Sequence, residues 1–425
     1  MKIYLDMVGC RLNQSEIEAY AQQFQAAGHS LTANPADADL AIVNTCTVTV
    51  AAAADSRKMI RRVARKGAGQ VLVTGCWATL EPQKASQLAG VSEVIPNDAK
   101  DEFVLNFLGL DREKIDQKSL ERVIVPGPRV RTRAVIKAQD GCDNHCTFCI
   151  TTIARGNGRS VPIEAVLRDV RIALRGGAQE VVLAGVHLGS WGHDFEERLA
   201  LQDLVKAILS ETDVPQVRLS SLEPWDVEDA LIELLASERV ARHLHLPLQS
   251  GCAATLRRMA RKITPSGYAT LLSRVRAVTP EAALTADVMV GFPGETEEEF
   301  AESLAFVREM NFAGGHTFTY SARERTVAAK MPNQVPHPIR KERNAAMREV
   351  LTSSAAEYRR RFVGRKLNVL WESATSLDGG GWELRGLTDN YLRVRAQYPR
   401  NLWNSITPVL LESTTPRGLE GKVTV

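Results

Sequence analysis

Three cysteines lie close together in the sequence, at Cys142, Cys146 and Cys149, with the spacing C-x3-C-x2-C. Three thiolates at this spacing can bind three irons of a cubane [4Fe–4S] cluster and leave the fourth iron without a protein ligand, open to a reactant. A structural zinc site is the alternative, but zinc usually takes four ligands from paired C-x2-C units, and here His145 would have to be the fourth. The spacing therefore favours a cluster with an open iron over zinc.

Three further cysteines, Cys10, Cys46 and Cys76, lie about thirty residues apart, each just after a short apolar run. The runs predict buried strands of a parallel sheet at residues 3–5, 40–43 and 71–73. Because the carboxyl ends of parallel strands meet at one edge of a sheet, where α/β folds bind ligands, we expect the three thiols to lie together. Small buried core cysteines are common, but three in the same position after a strand predict a second three-thiolate site. We expect the seventh cysteine, Cys252, to be structural.

The elements that must position these cysteines are predicted to form an α/β protein of three parts. Residues 1–120 predict an N-terminal parallel α/β sheet domain, residues 134–361 a partial (β/α)6 barrel with its active site at the carboxyl ends of the strands, and residues 363–425 a small antiparallel β-barrel of OB-like type. A basic segment rich in Pro and Gly, residues 121–133, is expected to link the first two parts. The central strands are predicted at 134–138, 180–184, 216–219, 243–246, 284–290 and 315–319. The central helices are predicted at 162–175, 200–210, 227–237, 252–261, 265–278, 296–310 and 338–361.

Composition indicates the broad class of protein. The chain has 425 residues, a 44% hydrophobic content and a net charge of +3, all ordinary for a soluble globular protein. No run of about 18 apolar residues occurs, and the first residues lack a signal-peptide core, so we expect a cytoplasmic protein without a membrane segment. Seven cysteines in a chain of this length favour metal binding over a secreted disulfide framework. The small net charge permits nucleic-acid binding without arguing for it.

The C-x3-C-x2-C segment, with an aromatic residue, Phe148, just before its last cysteine, resembles that of the radical S-adenosylmethionine (SAM) enzymes. The resemblance implies that the open iron binds the amino and carboxylate groups of SAM, and that an electron from the cluster cleaves the sulfonium to release a 5′-deoxyadenosyl radical. Glu223 and Gln249, after predicted strands, can bond ribose hydroxyls or the SAM amino group, and Arg155 can pair with the SAM carboxylate or an RNA phosphate. The alternatives are a surface carboxylate for Glu223 and an exposed cation for Arg155. We expect His187 to be a packing or surface residue.

Over nearly its whole length the chain resembles the radical SAM methylthiotransferases, in the order N-terminal cluster domain, radical SAM domain and TRAM-type RNA-binding domain. Besides the cysteines, the segments that carry the resemblance are 185–189, 246–252 and 287–296. The resemblance implies two [4Fe–4S] clusters, an auxiliary one on Cys10, Cys46 and Cys76 and the radical SAM one on Cys142, Cys146 and Cys149.

Two motifs indicate the subgroup. Residues 9–14 read G-C-R-L-N-Q and residues 44–49 read N-T-C-T-V-T, which resembles the enzymes acting on N6-threonylcarbamoyladenosine in tRNA. The isopentenyladenosine subgroup tends to read G-C-Q-M-N at the first site, and the subgroup that modifies a ribosomal protein tends to read G-C-P-K-N. The sequence departs from the family at residues 150–153, which lack a frequent proline, and at residues 96–97, where a Gly-containing turn is frequent. Neither departure touches a cluster ligand, but both concern the shape of the substrate pocket.

The resemblance implies a transferase that places a methylthio group on C2 of N6-threonylcarbamoyladenosine next to the tRNA anticodon. One SAM would supply the methyl group to a sulfur on the auxiliary cluster, and a second SAM the radical that activates C2, whose C–H bond is not acidic enough for a general base. Both open irons must then face one cavity. The implied partners are the tRNA anticodon region and an electron donor such as a flavodoxin or ferredoxin.

The C-terminal barrel carries a pattern typical of RNA contact, in which aromatic residues alternate with cations: Tyr391, Arg393, Arg395, Tyr398, Arg400 and Trp403. This pattern can stack bases and neutralise phosphates, although aromatics in a small barrel are often core residues. The rival functions are methylthiotransferases for isopentenyladenosine tRNA or for a ribosomal-protein aspartate, and, from another class, a non-enzymatic metal-binding RNA module. The motif at the first cysteine argues against the protein substrate, and an open iron argues against the module.

Overall fold

The computed structural model describes residues 1–110 and 132–424, and its N-terminal part is a five-stranded parallel sheet in the order β2-β1-β3-β4-β5. Its strands are β1 (Lys2–Met7), β2 (Ser30–Leu31), β3 (Leu40–Thr45), β4 (Gln70–Gly75) and β5 (Val91–Ile95). Its helices are α1 (Arg11–Ala26), α2 (Val50–Arg65), α3 (Cys76–Leu80), α4 (Pro82–Ser86) and α5 (Phe103–Leu108). All six residues of β3 are buried, because α1 packs on one face of the sheet through Ile17 and Phe24 and α2 on the other through Ile60 and Val63.

The central part has six parallel strands, hydrogen-bonded as the triplets β6-β9-β10 and β11-β12-β13, with single bridges joining β10 to the segment at β11. These strands are β6 (Ala134–Lys137), β9 (Glu180–Ala184), β10 (Gln216–Leu219), β11 (His243–His245), β12 (Ala283–Val290) and β13 (Gly314–Thr319); the short pair β7 (Gln139–Asp140) and β8 (Arg159–Ser160) is separate. The helices are α6 (Thr151–Arg155), α7 (Ile163–Arg175), α8 (Leu201–Glu211), α9 (Asp229–Glu233), α10 (Ala253–Arg258), α11 (Pro265–Val278), α12 (Glu297–Glu309) and α13 (His337–Arg360). The barrel is partial, since β6 and β13 are edges among the described strands, and α1 of the N-terminal part packs against β6.

The C-terminal part is a closed five-stranded barrel in the order β14-β15-β16-β18-β17. Its strands are β14 (Lys366–Ser376), β15 (Trp382–Thr388), β16 (Arg393–Tyr398), β17 (Ile406–Thr415) and β18 (Gly418–Val423). The neighbours pair antiparallel except β16 with β18, which run parallel. Tyr358 and Phe362, at the end of α13, enter the core of this barrel and attach it to the central part.

The structure confirms the predicted fold class. Two central helices are shorter than predicted: the segment 227–237 is α9 followed by a 3₁₀ turn at Leu234–Ala236, and the segment 252–261 ends its helix at Arg258. The predicted linker, residues 121–133, lies outside the described residues apart from its last two, and the three domain boundaries stay predictions. Within the described part of the chain, the helices are all too short or too polar to cross a membrane.

Candidate functional site

The first cysteine trio, Cys10, Cys46 and Cys76, lies at the carboxyl edge of the N-terminal sheet. Each cysteine directly follows or closely follows one of the adjacent strands β1, β3 and β4. Burial raises the pKa of Cys46 to about 11, and the neighbouring thiols of Cys10 and Cys76 contribute to that rise. Thiols of this kind stay protonated at neutral pH unless a metal takes the thiolate, so the trio suits metal ligation better than free-thiol chemistry.

Glycine allows the first trio to come together. Gly9 has a φ of +115°, and a Cβ on it would lie 2.6 Å from the Cβ and 2.8 Å from the Sγ of Cys46. Gly75 has a φ of +93°, and its Cβ would lie 2.4 Å from the carbonyl oxygen of Thr45. Any larger residue would therefore strain the backbone and displace the neighbouring cysteine segment.

The second cysteine trio, Cys142, Cys146 and Cys149, lies in the loop between β7 and α6. Backbone N–H groups face its sulfurs: that of Asn144 donates to Cys142 Sγ at 3.4 Å, and that of Thr151 donates to Cys149 Sγ at 3.4 Å. Hydrogen bonds of this type tune the sulfurs of iron–sulfur clusters. Burial also raises the pKa of Cys146 to about 11, so this loop, like the first trio, favours a bound metal over free thiolates.

Both trios have the donor set of a three-thiolate [4Fe–4S] site. Across residues 1–110 and 132–424, no three His, Cys, Asp or Glu side chains are placed to hold a single metal ion. A cubane differs from such a site because each thiolate binds a different iron, so its ligands need not converge on one point. The seventh cysteine, Cys252, is 1% exposed and directly precedes α10.

Arg155, the last residue of α6, contacts the first trio, although sequence reasoning expected it at SAM or RNA. Its Nε donates to Cys76 Sγ at 3.2 Å, its Nη2 to Asn13 Oδ1 at 2.7 Å, and its Nη1 to Glu16 at 3.0 Å and Asp140 at 2.9 Å. The side chain is 2% exposed and its donors are occupied by the protein. The contact of Arg155 with SAM stays a prediction. The observed hydrogen bonds place its guanidinium beside Cys76 of the first trio.

A buried charge cluster surrounds Arg155 between the N-terminal sheet and the central barrel. Lys100, which is fully buried, lies 2.5 Å from Glu16 and 3.4 Å from Asp140. Burial raises the pKa of Glu16, but Arg155 and Lys100 outweigh it and lower this pKa to about 2. The same cations and Lys137 hold the pKa of Asp140 well below its ordinary value against the effect of burial. The two parts are therefore joined by charges that are compensated only in the assembled fold.

The short helices that follow the two trios pack on each other. Leu80 of α3 lies against Ile150 and Ala154, at the start and within α6, and Cys76 packs beside them. The side chain of Asn97 reinforces the contact, because its Nδ2 donates to the Ala154 carbonyl at 2.7 Å and approaches Cys76 Sγ at 3.8 Å. The fold thus brings both trios to one interface between the N-terminal sheet and the barrel.

Glu223 lies beside the second trio, in an ion pair with Arg261. Arg261 Nη2 donates to Glu223 Oε2 at 2.6 Å, and its Nη1 approaches Cys146 Sγ at 3.8 Å. Its guanidinium also covers the ring of Trp225, 4.5 Å from the centroid. Sequence reasoning missed Arg261, because it belongs to a run of four cations in six residues, 257–262, and nothing in that run shows which one points inward.

Gln249 has an unusual backbone and an unpaired side-chain oxygen. Its φ is +70°, a region that residues other than glycine rarely adopt, and its backbone is held by hydrogen bonds to Asp287 and Met289 of β12, both at 2.8 Å. Its Oε1 is buried and has no hydrogen-bond partner among the described residues. A buried acceptor of this kind suits a ligand that brings its own donor, such as a hydroxyl or ammonium group.

His187 is a buried, hydrogen-bonded residue beside the second trio. Its Nε2 lies 2.6 Å from Asp226 Oδ2, and the amide of Asn144 lies 3.3 Å from its Nδ1. Burial lowers the pKa of His187, but hydrogen bonds to Asp226 and to the Cys142 thiol outweigh it and raise the pKa to about 10. The expectation of a packing residue at this position missed these polar partners.

A cavity of about 660 Å³, here called the interdomain cavity, opens where the central barrel, α1 and the C-terminal barrel meet. One wall is a stack of Tyr391 on His243, with ring centroids 4.0 Å apart. Its charged lining among the described residues contains five arginines and one carboxylate: Arg11, Arg348, Arg359, Arg393, Arg417 and Asp287. A second cavity of similar size is here called the barrel groove. Arg393 and Arg417 line both cavities, and the barrel groove is also lined by Arg133, Arg385 and Arg395.

Two family models match this chain, one to each cysteine region. The Radical SAM superfamily model matches residues 136–307, and the model described as Uncharacterized protein family UPF0004 matches residues 2–96. The partial barrel with a three-cysteine loop at its carboxyl edge is therefore the barrel of a radical SAM enzyme. Such an enzyme uses SAM and an iron–sulfur cluster.

Curated relatives match over most of the chain. A threonylcarbamoyladenosine tRNA methylthiotransferase of Bacillus subtilis is 36% identical over 91% of this chain and 88% of its own length, and one of Thermotoga maritima is 33% identical over 87% and 86%. A tRNA-2-methylthio-N(6)-dimethylallyladenosine synthase of Bacillus velezensis is 30% identical over 99% and 85%. The chain therefore belongs to the radical SAM methylthiotransferase family.

Solved structures support the fold alone. The radical SAM methyltransferase TsrM of Kitasatospora setae, solved with cobalamin and a [4Fe–4S] cluster, is 13% identical, with a TM-score of 0.58 over 77% of each chain. The cobalamin-dependent radical SAM enzyme OxsB has a TM-score of 0.50 and covers 82% of this chain and 56% of its own. These likenesses agree with a partial barrel joined to an α/β sheet domain.

Proposed function

We propose that this enzyme places a methylthio group on C2 of N6-threonylcarbamoyladenosine next to the anticodon of tRNA. The observation that carries the proposal is the meeting of two cysteine trios at one interface, through the packing of α3 on α6 and the bridge made by Arg155. The motif at residues 9–14 and the names of the relatives at 33–36% identity support the choice of nucleoside.

Two [4Fe–4S] clusters belong to this proposal, one held by Cys10, Cys46 and Cys76 and one by Cys142, Cys146 and Cys149. When bound, they supply the electron that cleaves SAM and an open iron that can carry sulfur. The surrounding residues would orient the reactants: Gln249 has a free buried acceptor that suits a donor of SAM, and Arg261 places a positive charge near Cys146 while it pairs with Glu223. Cys46 is buried and Cys76, Cys142, Cys146 and Cys149 are half-buried, whereas Cys10 is exposed; partial exclusion of water at these thiols limits side reactions of a radical.

The RNA would approach over the arginines of the C-terminal barrel. The barrel groove and the interdomain cavity share Arg393 and Arg417, so their arginines form one positive surface that reaches Arg11, the residue after Cys10. Such a surface attracts the phosphates of the RNA backbone. Tyr391, at the cavity wall, can contact a base. A flavodoxin or ferredoxin as electron donor and a cytoplasmic location complete the proposal.

The test of the reaction is mass spectrometry of tRNA nucleosides from cells with and without this gene. Loss of the 2-methylthio form of threonylcarbamoyladenosine, with accumulation of its precursor, would support the proposal. A second candidate, isopentenyladenosine in tRNA, is favoured by relatives of that name that match 97–99% of the chain at 30% identity. Loss of the 2-methylthio form of that nucleoside instead would select it, and no change in any nucleoside would favour a ribosomal-protein aspartate.

The number of clusters has its own test. Replacing Cys142, Cys146 and Cys149 together with Ala is expected to leave about four irons per chain, the content of one cubane. Complete loss of iron in this variant would show that Cys10, Cys46 and Cys76 do not form an independent site.

A further inference from the structure

Arg11 is a cation without a partner in the interdomain cavity. Its side chain lines that cavity, and among the residues that the structure describes it makes no hydrogen bond and no ion pair. Other inward-facing arginines near the site differ in this respect: Arg155 pairs with Glu16, Arg218 with Glu180, and Arg261 with Glu223. A half-buried guanidinium that the protein leaves unpaired is suited to an anion brought by a ligand.

The other charges of the interdomain cavity do not neutralise Arg11. Asp287 is the carboxylate among its described lining residues, and it is already held by His245 at 3.3 Å and His316 at 3.2 Å. The remaining charged lining consists of arginines. A negative group that enters the cavity therefore meets an excess of positive charge, with Arg11 on the wall contributed by α1.

The backbone of Arg11 lies beside the first trio, and its side chain lines the interdomain cavity. Arg11 directly follows Cys10 and is the first residue of α1, a helix of 16 residues. The side chain therefore starts at the rim of the first trio, and its length carries the guanidinium into the interdomain cavity. Arg11 therefore connects the rim of the first trio, where C2 of the adenine would be presented, to the interdomain cavity, where an N6 substituent could be bound.

We infer that Arg11 binds the carboxylate of the threonylcarbamoyl group and so selects this nucleoside; the inference rests on the proposed function. Threonylcarbamoyl ends in a carboxylate, which the planar guanidinium can bind through two parallel N–H donors. An isopentenyl group carries no charge and would leave the guanidinium unpaired. A phosphate of the RNA backbone offers the same anionic chemistry, so the test must separate the two.

The test compares R11Q and R11K with the wild type on anticodon stem–loop RNAs that differ in one nucleoside: threonylcarbamoyladenosine, its methyl ester, or plain adenosine. Equilibrium binding is measured without SAM on the reconstituted protein, and methylthiolation is measured separately. We expect R11Q to bind the threonylcarbamoyl RNA on the order of 10- to 100-fold more weakly and plain RNA unchanged. The affinity of R11K for the threonylcarbamoyl RNA should lie between those of the wild type and R11Q, because a lysine keeps the charge but not the paired donors. The wild type should bind the methyl-ester RNA more weakly than the threonylcarbamoyl RNA by the same factor. R11Q should bind these two RNAs equally well.

A matched control is R308Q, since Arg308 is exposed on the outer helix α12. Iron content and SAM cleavage in the absence of RNA should equal the wild type in R308Q, and binding by R11Q is compared with the wild type at equal iron content, so that loss of a cluster is not mistaken for loss of affinity. Equal weakening of modified and plain RNA in R11Q, with a shallower salt dependence, would assign Arg11 to a phosphate and overturn the inference. Unchanged binding of the threonylcarbamoyl RNA would overturn it as well. If the wild type methylthiolates only isopentenyladenosine RNA, the proposed function itself is wrong.

Discussion

At the scale of single residues, the buried charge cluster at Arg155 is the feature that distinguishes the site from an ordinary α/β interface. Glu16 and Lys100 come from the N-terminal part and Arg155 and Asp140 from the central part. Removing one partner of such a cluster leaves the others buried and uncompensated, which is more costly than losing one surface ion pair.

The first prediction concerns Glu16. Since its pKa is lowered to about 2 from 4.5, the charged form contributes stability that is complete above pH 4.5 and is lost as the pH falls toward 2. We expect E16Q to lower the free energy of unfolding by about 3 kcal/mol at pH 7. The difference between E16Q and the wild type should shrink as the pH falls below 4.5, because the wild-type carboxyl then becomes protonated.

Urea unfolding followed by tryptophan fluorescence at several pH values measures this difference. The matched control is E309Q, which changes an exposed carboxylate at the end of α12 and should have little effect at any pH. If E16Q lowers the free energy of unfolding by the same amount at every pH, then Glu16 stabilises the fold through packing rather than through its charge.

At the scale of elements, the first trio depends on strand ends that only glycine can form. We predict that G9A displaces Cys46, since the new Cβ would lie 2.6 Å from the cysteine Cβ. Iron should fall from about eight to about four per chain in the reconstituted protein, with SAM cleavage retained. The matched control is G28A, because Gly28 also has a positive φ, +81°, but no atom lies within 4 Å of its added Cβ. Equal iron loss in both variants would show that backbone strain, not the clash, is responsible.

The strands were the most predictable elements, because continuous apolar runs in a parallel sheet are buried on both faces. The predicted bounds of β9 and β10 agree with the structure at 180–184 and 216–219. The helix predicted at 252–261 was too long, since Ala260 adopts a φ of +55°. Alanine is rarely found in that conformation, so no sequence pattern indicated the turn that directs Arg261 toward Cys146.

The candidate site was predictable where cysteine spacing and strand order determine it, and less so where side chains from different parts meet. Cys10, Cys46 and Cys76 could be placed together because each follows a parallel strand. Arg155 was expected to face a ligand, but its contacts come from Asn13 and Glu16, more than a hundred residues away in sequence. Partners at that separation are determined by the docking of two parts, which local patterns do not contain.

At the scale of the whole molecule, RNA affinity and nucleoside choice are expected to come from different arginines. Arg393 and Arg417 line both the barrel groove and the interdomain cavity and make no ion pair among the described residues. We predict that R393Q/R417Q weakens binding of modified and plain anticodon RNA alike and lowers the slope of log K against log salt by about 1.5 to 2. Fluorescence anisotropy over a range of salt concentrations measures both quantities.

The comparison for this double variant is R11Q, which should change the preference between RNAs and not the salt slope. A double variant that keeps the wild-type slope would mean that the barrel face does not contact phosphates, and the RNA path would then have to lie elsewhere.

The hydrogen bond from Arg155 to Cys76 also bears on the order in which the site is assembled during synthesis of the chain. The two residues are 79 positions apart, so a ribosome adding about 5–20 residues per second needs roughly 4–16 s to synthesise the distance between them. During that interval the sheet with Cys10, Cys46 and Cys76 can already fold, but the cation that faces Cys76 does not yet exist. The first three thiols therefore emerge before their environment is complete, and delivery of iron and sulfide to them is expected to follow the docking of the second half rather than to accompany translation of the first.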